Sequence, residues 1–234
     1  MAKDKVQRDH LQPQFWTASE IHRRHEFRCE HRHNGLLHAS CYNTAMGLEE
    51  RVCYLDTEFY VGKNNWGKLC GDWGAILCWV IGDGEGNYTF DEATPTEAAA
   101  FDDKRIVESC IAELLKYDRV VTHFGDRCDL PLLRTRAIIN RSEFPAYGAL
   151  KSTDVWKMAK TKLCLSSNGQ KTVAKAISGK TEKTSVEAEI WLGAIRGNKK
   201  CLATIVDHCK RDVRDLERNA KALFKYVKLP STSI

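Results

Sequence analysis

RVCYLDTEFYV, residues 51–61, is a run of β-branched and aromatic residues that favours an extended strand. Successive side chains of a strand point to opposite faces. Val52, Tyr54, Asp56, Glu58 and Tyr60 therefore share one face, and Cys53, Leu55, Thr57, Phe59 and Val61 the other. Two carboxylates thus project side by side from an otherwise apolar strand. Like charges so placed are costly unless a cation lies between them, and an all-oxygen pair suits Mg²⁺ or Mn²⁺. The plainer alternative is an edge strand with a wet acidic face.

Working outward, WGAILCWVIGD (73–83) predicts a second strand, with the Gly- and Asn-containing stretch 62–72 as the loop between them. After the turn GDGEGN, YTFDE (88–92) predicts a short third strand. Residues 102–118 carry apolar side chains at 106, 107, 110, 111, 114 and 115, a helical stripe. RVVTHFG (119–125) predicts a fourth strand, and 130–140 another helix, with Pro131 in its first turn. Beyond residue 151 the chain is expected to be helical, ending in one long helix over about 199–228. Strands joined through a helix normally run parallel. The order β-β-β-α-β-α therefore predicts an α/β fold, a mixed sheet flanked by helices.

Two further acidic positions stand out. In VVTHFGDRCDLPLLRTR an apolar strand ends in a Gly-containing loop, and Asp129 sits where the next helix begins. Strand-end loops of α/β sheets favour ligands and catalytic groups, although Asp129 would serve equally as a helix N-cap. Asp126 is a second acid of the loop, further from the helix start. In the last helix, Leu202, Val206, Cys209, Val213, Leu216, Ala220, Leu223 and Val227 form a core-facing stripe. At about 100° per residue, Asp212 lies at its edge with His208 one turn earlier, at the rim. Asp215 lies further round the helix, and Asp207 points away. A solvated His–Asp pair is the alternative.

Together, CYLDTEFY, HFGDRCDLPLL and DHCKRDVRDLE, with the order Asp56-x-Glu58, Asp129, His208-x3-Asp212, resemble the three motifs of DEDD-type 3′→5′ exonucleases of the ribonuclease H-like superfamily. The resemblance covers about residues 50–228 and is closest to the stand-alone, predicted ribonuclease H-like exonucleases of archaea, bacteria and their viruses. The segment TDVWKMAKTKLCLSSNGQKTVAKAISGKTEK is similar to that group as well. One departure is visible: a histidine stands where one subclass has Tyr-x3-Asp, whereas the histidine subclass has His-x4-Asp. The resemblance implies a ribonuclease H-like fold and phosphodiester hydrolysis with two divalent ions, Mg²⁺ or Mn²⁺. Asp56 would bridge the ions, Glu58 and Asp212 would complete the site that activates water, and Asp129 would ligate the second ion. His208 would orient or deprotonate the attacking water.

Upstream, FRCEHRHNGLLHASCYN places Cys29, His31, His33, His38 and Cys41 within 13 residues. Thiolates and imidazoles are the preferred tetrahedral zinc ligands. One structural Zn²⁺ is expected on Cys29, His38 and Cys41, with His31 or His33 as the fourth ligand. A basic loop whose His and Arg side chains touch nucleic acid is the alternative. The chain then divides into a Cys/His-rich extension (1–48), without clear periodicity, and a ribonuclease H-like domain (49–234).

The 234 residues carry 36 Lys and Arg against 31 Asp and Glu, but unevenly: residues 151–234 hold 18 basic against 8 acidic side chains. This basic third suits a phosphate-rich partner, single-stranded DNA or RNA. Lys157, Lys160 and Lys162 are candidates to line its path, and Trp156 is better suited to the core. No apolar run reaches the ~20 residues of a membrane span, and the opening MAKDKVQRDH has no leader-like apolar region. Ten cysteines, eight of them scattered from Cys53 to Cys209, are expected as free thiols in a reducing, cytoplasmic compartment. An endonuclease of the same fold and a binding adaptor with an inactive nuclease site are the competing expectations.

Overall fold

The computed structural model describes residues 17–36, 38–63, 69–230 and 232–234; residues 1–16 of the expected extension lie outside them. Five strands, β1 (Val52–Lys63), β2 (Leu69–Gly82), β3 (Tyr88–Glu92), β4 (Arg119–Thr122) and β5 (Lys151–Asp154), form one sheet in the order β3-β2-β1-β4-β5. The hairpin-linked strands β1, β2 and β3 run antiparallel. β4 and β5, each reached through helices, run parallel to β1. This is the mixed sheet expected from the order of elements.

The described helices are α1 (Ala18–Glu26), α2 (Ala39–Ala45), α3 (Pro95–Ala100), α4 (Lys104–Leu114), α5 (Asp129–Ile139), α6 (Val155–Lys162), α7 (Gln170–Ser178), α8 (Ala188–Ala194) and α9 (Lys199–Phe224). They cover both faces of the sheet. Trp79 donates its indole N–H to Ser109 of α4, 3.0 Å away. Its neighbour Cys78, on the opposite face by alternation, lies against Cys209 of α9. The apolar stripe of α9 buries Leu202, Val206, Cys209, Val213, Leu216, Ala220 and Leu223, and Asn198 caps its start by accepting from the amides of Lys200 and Cys201. Among the described residues, no helix is long and apolar enough to cross a membrane.

The structure departs from the expected elements at several points. The first two strands extend into the expected loop, to Lys63 and from Leu69. Gly74 makes this possible: its φ is 122°, and a Cβ there would lie 1.9 Å from the Tyr60 carbonyl oxygen. Residues 151–154, expected to be helical, are the edge strand β5. Lys-Ser-Thr-Asp has little strand propensity, and its pairing with β4 overrides it. β4 ends at Thr122, so 123–125 belong to the following loop. The long helix stops at Phe224 rather than near 228, and residues 225–227 turn before Pro230. The extension contains two short helices where no periodicity was visible, with Arg24 buried between Glu20, Asn43 and the face of Tyr42.

Candidate active site

Alternation along β1 aims Asp56 and Glu58 at α9 and aims Thr57 at the other face. Immediately after Glu58 the ladder slips: Glu58 pairs with Cys78 and Phe59 with Ile76, which leaves Leu77 as the extra residue of a bulge. Bulges bend a strand and re-aim its side chains, and they recur beside active sites. Asp56 accepts a hydrogen bond from the Cys209 thiol, with Sγ 3.2 Å from Oδ2. The His208 Nε2 lies 3.5 Å from Glu58 Oε1 and 3.8 Å from Asp212 Oδ2. Asp129 joins from the side of α5. It is the first residue of that helix, not its cap, and its Oδ1 accepts from both the amide (3.2 Å) and the hydroxyl (2.6 Å) of Thr57. The capping alternative is thus not the one adopted. Asp56, Glu58, Asp129, His208 and Asp212 converge from three segments that together span more than 150 residues of sequence.

The electrostatics follow from burial. The Asp56 carboxyl is pushed up to about 7, first by burial and then by the charge of Asp129. Glu58 is raised well above the carboxylate range by burial and by Asp56, and Asp129 is raised by burial. His208 lies beside two acids, yet its pKa is pushed down to about 4. Burial comes first, then the charges of Lys183 and Arg211, and together they outweigh the opposing charge of Asp207. The imidazole is therefore neutral at pH 7. It is also more enclosed than the rim position expected from the helical wheel, at 8% exposure, because the segment carrying Lys183 and Thr184 covers it.

That segment was not foreseen. Lys183 Nζ forms a close ion pair with Asp212 Oδ2, and Thr184 Oγ1 shares a 2.8 Å hydrogen bond with His208 Nδ1. Gln170 donates its amide to the Asp212 carbonyl at 2.5 Å. Asp215, expected further round the helix and out of play, is wholly buried. It accepts from the Thr181 hydroxyl (2.5 Å) and the Glu182 and Lys183 amides (3.0 and 3.2 Å), and pairs with Arg218 at 2.9 Å. Asp215 thus anchors the strap that delivers Lys183. Asp207 is half-exposed and pairs with Arg211, as its outward position suggested.

A cation fits this donor set. Asp56 and Glu58 repel each other in a buried place, and Asp212 Oδ1 is buried with no hydrogen-bond partner among the described residues. One ligand atom each from Glu58, His208 and Asp212 lie within 4.8 Å of one another, as do those of Asp56, Glu58 and Cys209. Lys183 supplies the positive charge in the metal-free fold.

The Cys/His cluster lies elsewhere. Lys151, the first residue of β5, acts electrostatically on both His38 and Cys41. That places the cluster at the end of the sheet where β4 and β5 begin, whereas the acids lie beyond the paired residues Tyr54 and Val121 at the other end. Cys29 Sγ is 3.4 Å from His38 Nδ1 and 3.8 Å from His31 Nδ1, and Cys41 Sγ is 3.8 Å from His31 Nδ1. Zn–S of ≈ 2.3 Å and Zn–N of ≈ 2.0 Å at tetrahedral angles require S···N separations of about 3.5 Å. The four donors are thus spaced for one zinc ion. His33 stands outside the group, its ring edge-on to His38 at 5.1 Å.

The three candidate lysines do not act alike. Lys157 is engaged by Asp126 at 2.6 Å. Lys160 lies over the face of Trp156, 5.0 Å from its centroid, and Lys162 is exposed.

Known proteins add the family. The chain is similar to a family B DNA polymerase of the hyperthermophilic archaeon Pyrobaculum calidifontis, with a TM-score of 0.61 at 16% identity. The match covers 76% of this chain but only 25% of the polymerase, and at this identity it speaks for the fold alone. No curated protein matches the chain. A family model described as the RNase_H superfamily matches residues 72–224, a span that includes Asp129, His208 and Asp212 and begins after Asp56 and Glu58. With well over half of its length matched, the chain belongs to the RNase_H superfamily.

Proposed function

We propose that this protein is a metal-dependent nuclease that removes nucleotides from the 3′ end of single-stranded DNA or RNA. The observation that carries this reading is the convergence of two buried carboxylates (Asp129, Asp212), two partly buried ones (Asp56, Glu58) and a neutral histidine on a site that lacks enough positive charge of its own. The 3′→5′ direction is what the resemblance of the three motifs to DEDD-type exonucleases implies.

Asp56, Glu58, Asp129 and Asp212 would hold two Mg²⁺ or Mn²⁺ ions. When bound, such ions polarise the attacking water and offset charge on the departing 3′ oxygen. The remaining steps belong to the chain. With Nδ1–H donated to the Thr184 hydroxyl, His208 Nε2 carries the lone pair and takes a proton from water. Its low pKa keeps it in the accepting form across the physiological range. Lys183, once released from Asp212, is a cation within reach of a substrate phosphate. Thr57 fixes the Asp129 carboxylate with two hydrogen bonds, so that its orientation precedes substrate binding.

The Cys29, His31, His38, Cys41 cluster is read as a structural zinc site that staples residues 17–48 to the strand starts, remote from the chemistry. Ten cysteines with no disulfide among them fit a reducing cytoplasm.

The test is cleavage of 5′-labelled single strands in Mg²⁺, Mn²⁺ and EDTA. A ladder shortening from the 3′ end in either metal, absent in EDTA, is expected. Internal cuts would make the protein an endonuclease, and binding without cleavage would make it an adaptor.

A further inference from the structure

The loop after β4 is held in a conformation that bulky residues rarely adopt. Phe124 has φ = 67°, the left-handed region, and its ring is 38% exposed. Such a conformation persists only where the surroundings fix it, and strained residues of this type cluster at ligand-binding sites. Here they do fix it. Asp154, 3% exposed, uses one carboxylate oxygen to accept from the Phe124 amide at 2.8 Å and from the Trp156 amide at 2.9 Å. The next residue must be glycine, because a Cβ on Gly125 would lie 2.4 Å from the Thr122 side chain. His123 on the other side is tied to the Asn168 carbonyl at 3.0 Å.

The result is a pair of rings on a rigid mount. Phe124 meets Trp156 edge-on, with centroids 5.2 Å apart at 71°. Lys160 and Arg127 lie 5.0 and 5.9 Å from the Trp156 centroid, and among the described residues neither has an ion-pair partner. Lys157, by contrast, is spent on Asp126. The pair also stands beside the acids. Tyr54 of β1 is paired with Val121 of β4; Asp56 lies two residues beyond the first, and Phe124 lies in the loop that follows the end of β4. Asp154, which holds the Phe124 amide, acts electrostatically on Asp129, and His123 feels the charge of Lys183, so this loop borders the acids.

We propose that Phe124, braced by Trp156, is the stacking platform for the 3′-terminal base, with Lys160 and Arg127 taking the adjacent backbone phosphates. The proposal deepens the nuclease reading and rests on it. An exposed ring accepts any base through its π face, so the platform would recognise a terminal nucleotide without regard to sequence. The cations over Trp156 hold positive charge where a strand leaving the acids would carry phosphate.

The test is equilibrium binding of the full chain, in EDTA to prevent cleavage, to 5′-fluorescein single strands that differ only in one abasic position. An abasic 3′ terminus is expected to weaken binding roughly 5- to 100-fold, the range of a lost base–aromatic stack. Phe124→Asn keeps a residue that tolerates the left-handed region and should erase that difference, while Phe124→Tyr should retain it. Discrimination that survives in Phe124→Asn, or that falls on the second nucleotide instead, would overturn the proposal and leave the nuclease reading standing. Failure to bind either strand would overturn both.

Discussion

The two candidate metal-binding regions at opposite ends of the sheet are built on opposite plans. Cys29, His31, His38 and Cys41 come from 13 consecutive residues, and their donor atoms stand at tetrahedral spacing without help from the sheet. Asp56, Glu58, Asp129, His208 and Asp212 come from three distant segments and are assembled only because β1, β4 and α9 pack together. The local cluster would need an ion to organise a short segment. The dispersed one is organised by the core, and any ions it holds would relieve the electrostatic cost of its clustered acids. Zinc at one end should therefore govern folding, and divalent cations at the other should govern chemistry.

The largest expected effect tests the first half of that contrast. Cys29→Ser combined with Cys41→Ser should remove about one zinc per chain, and with it local folding energy on the order of 10 kcal/mol. Elemental analysis and hydrogen exchange over residues 17–48 would report this, while cleavage at 20 °C should persist. Undiminished zinc in the double variant would break the assignment. Next in size, Asn or Gln at Asp56, Glu58, Asp129 or Asp212 should each lower the single-turnover rate by about 10³–10⁴-fold, with the melting temperature unchanged or raised. Full Mg²⁺-dependent activity in all four variants would remove the nuclease reading.

How far each region could be read from the sequence follows from the same difference. Cys29, His38 and Cys41 were legible because ligand spacing is local, and only the choice between His31 and His33 needed coordinates. The acids were legible because strand alternation and helical periodicity place Asp56, Glu58 and Asp212 on definite faces. Lys183 and Thr184 were not: they lie in a segment without periodicity, and only Asp215 holds them over the site. Asp215 itself was misjudged. The wheel placed it away from the core stripe, but it is buried by the strap it anchors rather than by the sheet. β5 escaped because four polar residues become a strand only by pairing with β4.

That correction yields the third prediction. Asp215→Asn, nearly silent on a wheel, should instead cost about 3 kcal/mol, because Arg218 and the 181–183 backbone lose a buried charged partner. Urea unfolding would measure it, and a change below roughly 0.5 kcal/mol, the level of an ordinary surface substitution, would contradict the anchoring role. His208→Ala should be milder than any acid substitution, with cleavage reduced roughly 10²-fold, since a bound ion still polarises water. Equal losses for His208→Ala and Asp56→Asn would place the histidine in the metal-holding set.

The smallest expected effect is a pH slope. The Asp56 carboxyl is raised from 3.8 to about 7 in the fold. A raised pKa stabilises the fold while the group is protonated; the contribution is complete below about 4 and is lost as pH rises through about 7. In EDTA the melting temperature should fall by roughly 5 °C between pH 5 and pH 8. Asp56→Asn should remove part of that fall, because burial raises Glu58 and Asp129 as well, and Mg²⁺ should restore the loss at pH 8. The Cys/His cluster predicts the opposite sense for its own segment, because its thiols and imidazoles must lose protons to bind zinc, so residues 17–48 should loosen as pH falls.

The division between the two ends is tested most directly by diffraction from crystals grown with Mn²⁺, recording anomalous scattering at the manganese and zinc absorption edges. Manganese is expected among Asp56, Glu58, Asp129 and Asp212, with Lys183 displaced from Asp212, and zinc among Cys29, His31, His38 and Cys41. Zinc bound by the acids, or no manganese between Asp56 and Asp212, would contradict the account.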